Sequence, residues 1–340
     1  MVHKVGGEKN VSARRTSRRT ENRCDRIGVE SGYANLFLHF PCSLPAGLRI
    51  ETPKVFISGR LKSIPTGGLK PALYNDMDTT PFPAFVDSHV HLDQIAARHP
   101  ERLDWMLEQR CMPVSWAWAQ GVETVKDLDA YLESQSRTIS EIRERGLEAF
   151  YLAGIHPRNI AKDLTPADIP KLILSRLTAP ACLGVGEVGL EEATDREKQI
   201  LGAQLELAPM VCGSGKVFGI HTPRQDKERV LAELLSFLDG FGLPENRVVI
   251  DHLTPQTLRP VLEKGYWAGV TLSPIKTSAE ELAAMLNLHS EAMDRVMVNT
   301  DSGTQFFADL AEFRNFGVQP QGVIRKITRD NALGFYNISL

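Results

Sequence analysis

From residue 81 to the end of the chain, short apolar runs alternate with charge-rich amphipathic stretches. The apolar runs are 84–91, 113–119, 148–156, 182–190, 216–221, 247–252, 267–273 and 295–300. Stretches such as 122–146, 194–211 and 225–239 carry helical patterning between them. Strands that are apolar almost throughout are buried on both faces, as parallel strands covered by helices are. Eight such units over residues 81–340 match an α/β chain folded as a (β/α)8 TIM barrel, which typically takes about 250 residues. The competing arrangement is an open doubly wound sheet with a Gly-rich dinucleotide loop after its first strand. No such loop follows 84–91.

In a barrel of this kind the site lies at the C-terminal ends of the strands. The apolar runs end in Asp87-Ser88-His89-Val90-His91, His156-Pro157, Gly186-Glu187-Val188-Gly189, His221, Asp251-His252 and Asp301. His156 to Glu187 is 31 residues, Glu187 to His221 is 34 and His221 to His252 is 31. Each interval is about one βα unit of roughly 30 residues, so the same height in the barrel is met repeatedly by a metal-capable side chain. His89 and His91 are two apart on a strand and point to one side.

The resulting set is His89, His91, Glu187, His221, His252 and Asp301. This mixture of imidazole and carboxylate suits Zn, Mn, Fe, Ni or Co. Six ligands suffice for one or two divalent ions, a pair of which sits about 3.5–4 Å apart when two ions clamp attacking and leaving oxygens. Taken singly, each residue has an ordinary structural explanation. His156 could cap a strand, Glu187 could serve a turn, and Asp301 could cap the helix that follows. Their coincidence at one end of one barrel argues for a metal site.

Other side chains are placed by the same rhythm. Trp116 and Trp118 are two apart on the second strand, and form either an apolar or stacking wall of the pocket or packing under the helix layer. Lys276 follows the seventh strand, and Arg224 and Lys227 follow the fifth; each is a candidate contact for an anion or a solvated loop cation. His99 and His289 fall in helical stretches and read as surface residues.

Residues 1–80 read differently, as a basic, flexible N-terminal extension. Residues 1–27 carry eight Lys/Arg against three Asp/Glu, a local balance of +5; since the whole chain is −3, the remainder is −8. A solvated tail, a targeting peptide and a misread gene start, with Met77 as the true one, all fit this extension. The acidic body excludes a globally basic nucleic-acid binder. No stretch approaches the run of about 20 apolar residues that spans a bilayer, so no membrane partner is expected. The five cysteines are odd in number and contain no C-x-x-C pair. That argues against a disulfide framework or a zinc ribbon and for reduced thiols in a cytoplasmic protein.

The residues also carry a family resemblance. Phe85-Val86-Asp87-Ser88-His89-Val90-His91-Leu92 resembles the opening motif of the TatD-type metal hydrolases of the amidohydrolase superfamily. Gly154-Ile155-His156-Pro157, Gly186-Glu187-Val188-Gly189-Leu190, Gln204-Leu205-Glu206-Leu207-Ala208 and Asn331-Ala332-Leu333 match the same family in order. The resemblance implies that His89, His91, Glu187 and Asp301 hold one ion, and Glu187, His221 and His252 a second. Asp301 would also orient or deprotonate the attacking water. His156 would contact the substrate, often a phosphate group in such enzymes. Arg224, Lys276 and Trp118 complete the expected substrate contacts.

There are departures from the DNase-type pattern. Glu191 stands where Asp is usual, Pro223 stands where Arg is usual with Arg224 one further on, and Asn299-Thr300-Asp301 replaces Glu-Thr-Asp. The stretches 219–227 and 265–271 look more like a poorly characterised TatD-related branch that includes the ebo-cluster hydrolase. The expectation is therefore a metal-dependent hydrolase acting on an ester bond, with a phosphoester substrate such as a nucleic-acid end. A small-molecule amidohydrolase or lactonase and a non-catalytic metal-binding barrel are the alternatives.

Overall fold

The computed structural model of the chain describes residues 82–340 apart from 316 and 318. The basic extension proposed for residues 1–80 lies outside them, as do Cys24 and Cys42. All eight expected strands are present: β1 Phe85–Val90, β2 Cys111–Trp116, β3 Phe150–Leu152, β4 Cys182–Gly189, β5 Val217–His221, β6 Val248–Ile250, β7 Trp267–Thr271 and β8 Val296–Asn299. They pair in parallel in the order β1 to β8. The two ends of the sheet meet just past β8, where Asp301 N donates to His89 O at 3.0 Å and His91 N to Ser302 O at 2.7 Å. The barrel is thus closed at the end that bears the polar residues.

The helices start where capping chemistry allows. Within 122–146 the helix runs Val125–Glu144, and a reciprocal Thr124–Asp127 capping box begins it. Such a box satisfies two backbone N–H groups that the first turn leaves unpaired. Its buried residues Leu128, Leu132, Gln135, Ile139 and Ile142 recur every three or four positions, and so form one stripe against the sheet. The stretch 194–211 is two helices rather than one, Asp195–Leu205 and Ala208–Gly213. Pro209 enforces the break, because it lacks an N–H and disfavours helical geometry just before it.

The barrel interior below the polar residues is apolar. Val86, Met112, Val114, Leu152, Val217 and Met297 fill it with Trp116, and Phe335 and Tyr336 of the closing helix Asn331–Tyr336 belong to the same cluster. A second, larger cluster lies between the strands and the surrounding helices. The described cysteines, Cys111, Cys182 and Cys212, form no disulfide.

Candidate metal centre

Two irregularities in the sheet aim the central ligands. Alternation along β1 from Val86, which is inside, would send His89 outward. The β1–β2 register shifts between Asp87 and Val90, and both His89 and His91 end up in the interior. The β4–β5 register shifts between Val185 and Val188 in the same way, which places Glu187. Bulges re-aim side chains like this next to functional sites. Close contact between strands supports the arrangement: a Cβ on Gly154 would lie 2.7 Å from the Gly186 carbonyl carbon.

His252 and Asp301 reach the site by another route. Each lies just beyond a strand with a left-handed backbone, φ 60° and 52° respectively. This conformation is uncommon for residues other than glycine. For His252 it turns inward a side chain that strand alternation would have sent out.

The six expected ligands converge. Glu187 is buried at the centre, with Oε1 2.7 Å from His221 Nδ1 and 3.4 Å from His252 Nε2, and Oε2 3.3 Å from His89 Nε2. Asp301 Oδ1 lies 3.0 Å from His91 Nε2 and 3.7 Å from His89 Nε2. His156 joins them, its Nε2 3.6 Å from Glu187 Oε1. Ligand atoms of three groups lie within 4.8 Å of one another: His89, His91 and Glu187; His89, His252 and Asp301; His156, Glu187 and His221. His252 therefore groups with His89 and Asp301, while His156 groups with Glu187 and His221.

Hydrogen-bond partners decide which nitrogen of each ring is available. His89 Nδ1 faces the Asp251 carboxylate at 2.5 Å and His91 Nδ1 faces the Trp116 carbonyl at 2.9 Å. Both acceptors demand a proton on Nδ1, which leaves Nε2 as the ligating atom. His89 Nε2 is buried and has no partner in hydrogen-bond geometry among the described residues. A buried polar atom left this way is costly, and a cation between these groups would satisfy it. His156 is the opposite case: Arg158 N donates to its Nδ1 at 3.1 Å, so the neutral ring carries its proton on Nε2 and is a donor there. The residues present therefore fit a divalent ion at His89, His91, Glu187 and Asp301.

Electrostatics sharpen these roles in the ion-free chain. Burial pushes the His156 imidazole down to about 4. Burial and then the Lys276 charge bring His252 down to about 3. His89 goes the other way: burial opposes its charge, but the Glu187 and Asp251 carboxylates outweigh that and raise it to about 10. Burial likewise opposes the charge of Glu187, yet the surrounding histidines, His89 foremost, hold its carboxyl well below the usual range.

Three cations border the cleft above: Arg158, Arg224 and Lys276. Lys276 Nζ reaches Asp301 Oδ2 at 2.5 Å and His252 Nδ1 at 3.0 Å. Arg158 is paired with Glu191 at 2.5 Å, and Glu191 also accepts from His221 Nε2 at 2.9 Å. Trp118 lies past β2, half-buried at the cleft, with its ring 5.1 Å from that of His91. Trp116 does not line the cleft; it is buried beneath it, stacked on His89 at 4.0 Å. Sequence reasoning gave no role to Arg158 or Asp251, and read Glu191 only as a departure. The Asp251-His252 pair at a strand end was the available signal for Asp251.

Known proteins share this family and fold. A family model described as TatD related DNase matches residues 86–314. The chain belongs to the TatD family of metal-dependent hydrolases. It is 26% identical over 280 residues to an uncharacterized metal-dependent hydrolase of Methanocaldococcus jannaschii, covering 74% of this chain and 100% of that one. The crystal structure of a TatD-like protein from Archaeoglobus fulgidus is similar with a TM-score of 0.58 at 27% identity, over 75% of this chain and 100% of the other. A beta-aspartyl dipeptidase of Fervidobacterium islandicum AW-1 shares the fold, with a TM-score of 0.53 at 15% identity over 75% of each chain.

Proposed function

We propose that this barrel hydrolyses a phosphoester with the help of one or two divalent ions such as Zn or Mn. The observation that carries the reading is the layering of charge: carboxylates lie at the floor of the cleft and Arg158, Arg224 and Lys276 at its border. An anionic group entering the cleft would meet these cations, with Lys276 turning from Asp301 to receive it.

In this reading His89, His91, Glu187 and Asp301 hold the first ion, and Glu187 with His221 and His252 the second, His252 through Nε2 with its Nδ1–H given to Thr271 Oγ1, 2.8 Å away, once Lys276 turns from Nδ1 to the anion. An ion held there supplies a nucleophile at neutral pH by acidifying water and offsets charge that builds up on the substrate. The chain's own residues do the rest. Asp301 orients the attacking water and accepts its proton, and Glu187 fixes the ligands around it. His156 donates from Nε2 to a substrate oxygen. Arg224 and Lys276 receive the anion, and Trp118 packs against the apolar part of the substrate. Among the described residues no helix is long and apolar enough to cross a membrane, and we place the enzyme in the cytoplasm as part of the same proposal.

The test is hydrolysis of bis-(nitrophenyl) phosphate by Mn- or Zn-loaded protein beside an Asp301→Asn control. Turnover is expected from the parent and its loss from the variant. A folded, ion-loaded parent with no turnover would overturn the phosphoester reading. A second reading, a small amide or lactone as substrate, has a specific observation behind it: residues 28–340 carry a net charge of −8, and a nucleic-acid partner usually leaves a basic footprint. Amide and lactone panels on the same loaded protein separate the two.

A further inference from the structure

The His89 ring is restrained on every side but one. Its face stacks on Trp116 with an interplanar angle of 12°. The Trp116 indole N–H donates to the Ser88 carbonyl at 3.0 Å, which also accepts from the Tyr336 hydroxyl at 2.8 Å. Nδ1 meets Asp251 Oδ2 at 2.5 Å. Only Nε2, toward Glu187 and Asp301, is without a hydrogen-bond partner among the described residues.

Asp251 is itself built in. It is fully buried. Its other oxygen, Oδ1, accepts from Asn299 Nδ2 at 2.9 Å. On β7 the space beside it is kept by Gly269, where a Cβ would lie 2.1 Å from Oδ1. A buried carboxylate is costly unless it is paired and hydrogen-bonded, and three strands here cooperate to keep one. Of the histidines expected to ligate the first ion, His91 is oriented by a neutral carbonyl and only His89 by a charge.

We propose that Asp251, held by Asn299, is a positioning residue that commits His89 to ligate a divalent ion through Nε2. This rests on the metal-hydrolase reading above. A carboxylate behind a ligating imidazole fixes its tautomer and raises its basicity, and losing it typically weakens metal affinity about 10–100-fold.

The hydrogen-bond directions make the proposal sharper than a loss of charge. In Asp251→Asn, a flip of the Asn299 amide would carry its NH2 donors to the buried position where Oδ1 now finds no partner among the described residues, a costly placement. The amide therefore keeps its orientation, still donates and claims the new side chain's oxygen. The new amide nitrogen then faces His89 Nδ1 as a donor. Nδ1 must accept, and the proton moves to Nε2, where it blocks ligation. Adding Asn299→Asp reverses this. The new carboxylate at 299 accepts from the amide nitrogen at 251, and the amide oxygen turns back to His89 Nδ1–H. The double variant D251N/N299D should recover what D251N loses.

The experiment is Zn affinity of the full chain, measured by competition with a chromophoric chelator, together with the melting temperature of the ion-free form. The expected result is D251N weaker by at least tenfold, with an ion-free form that melts below the parent because a buried pair is broken, and the double variant at least tenfold tighter than D251N. A D251N affinity within twofold of the parent overturns the proposal, as does a double variant no tighter than D251N. If D251N does not fold, the double variant decides alone: affinity within tenfold of the parent supports the proposal and a larger loss overturns it. A parent chain that binds no divalent ion sinks the metal-hydrolase reading itself, and that outcome is distinct from all the others.

Discussion

The Lys276 ammonium lies 2.5 Å from Asp301 Oδ2, the carboxylate expected to handle the attacking water. Burial works to raise the Asp301 carboxyl, and Lys276 is the largest influence that lowers it; the net result lies well below the usual range. Replacing Lys276 with Met should therefore move the acid limb of the kcat/KM pH profile to higher pH. It should also raise KM for an anionic substrate by roughly 10–100-fold, as expected for a hydrogen bond to a charged group. An unchanged acid limb would remove Lys276 from any influence on Asp301.

Ion binding should release protons. In the ion-free chain His89 is raised to about 10 and His221 is also raised, each by neighbouring carboxylates acting against burial. His89 is then charged at neutral pH and His221 is shifted toward its charged form, and ligation requires a free nitrogen lone pair. Affinity for Zn or Mn should rise with pH from 6 to 8. Calorimetry in two buffers of different ionisation enthalpy should give different apparent heats. The same shift has a stability consequence. The His89 contribution is complete below its ordinary value of 6.5 and is lost as pH rises through about 10. The melting temperature of the ion-free form should therefore fall over that interval, and identical heats in both buffers would contradict the ionisation picture.

The barrel was legible because its strands are apolar on both faces and regularly spaced. All eight expected runs overlap a strand, but β2 starts before its run, at Cys111, and several strands are shorter than theirs. The run 148–156 keeps only Phe150–Leu152 and the run 247–252 only Val248–Ile250. The reason is chemical: the residues that carry ligands leave strand geometry to converge. Period-two reasoning places His221 correctly, since Val217, Gly219 and His221 share a side. It fails for His89 and Glu187, which are aimed by register shifts, and for His252, which is turned by a left-handed backbone. Neither device has a signature in the spacing. The helical stretch 194–211 is helical as expected, and Pro209 was the available signal that it divides into two helices. Trp116 and Trp118 share a side by alternation, yet one lies under the site and the other beside it, because β2 ends at Trp116.

Gly219 is where the floor of the site is least tolerant. A Cβ there would lie 2.7 Å from the Trp116 ring and 2.7 Å from Leu152 Cδ1. Both neighbours are fully buried, so neither can move into free space. Gly219→Ala should cost about 1–3 kcal/mol, as overpacked cores do. Because Trp116 stacks on His89, displacement should also reach the ligand. Denaturant unfolding of the ion-free form and Zn competition should both report losses. A variant as stable as the parent would mean that the strands can part at this point.

His156 separates a substrate contact from a ligand. It sits near Glu187 and His221 as closely as a ligand would. Its Nδ1 accepts from Arg158 N, and burial keeps the ring neutral, at about 4. A neutral ring with that acceptor must present Nε2–H, and an N–H cannot ligate. His156→Ala should therefore leave the metal content of the purified protein unchanged. It should raise KM roughly 10-fold or more, the loss expected when a buried hydrogen bond to a charged group is removed. His221→Ala is the comparison, because His221 is expected to ligate and its loss should lower metal content. Elemental analysis beside steady-state kinetics on both variants gives the answer. If His156→Ala loses metal as His221→Ala does, then His156 has exchanged its Arg158 hydrogen bond for a place among the ligands.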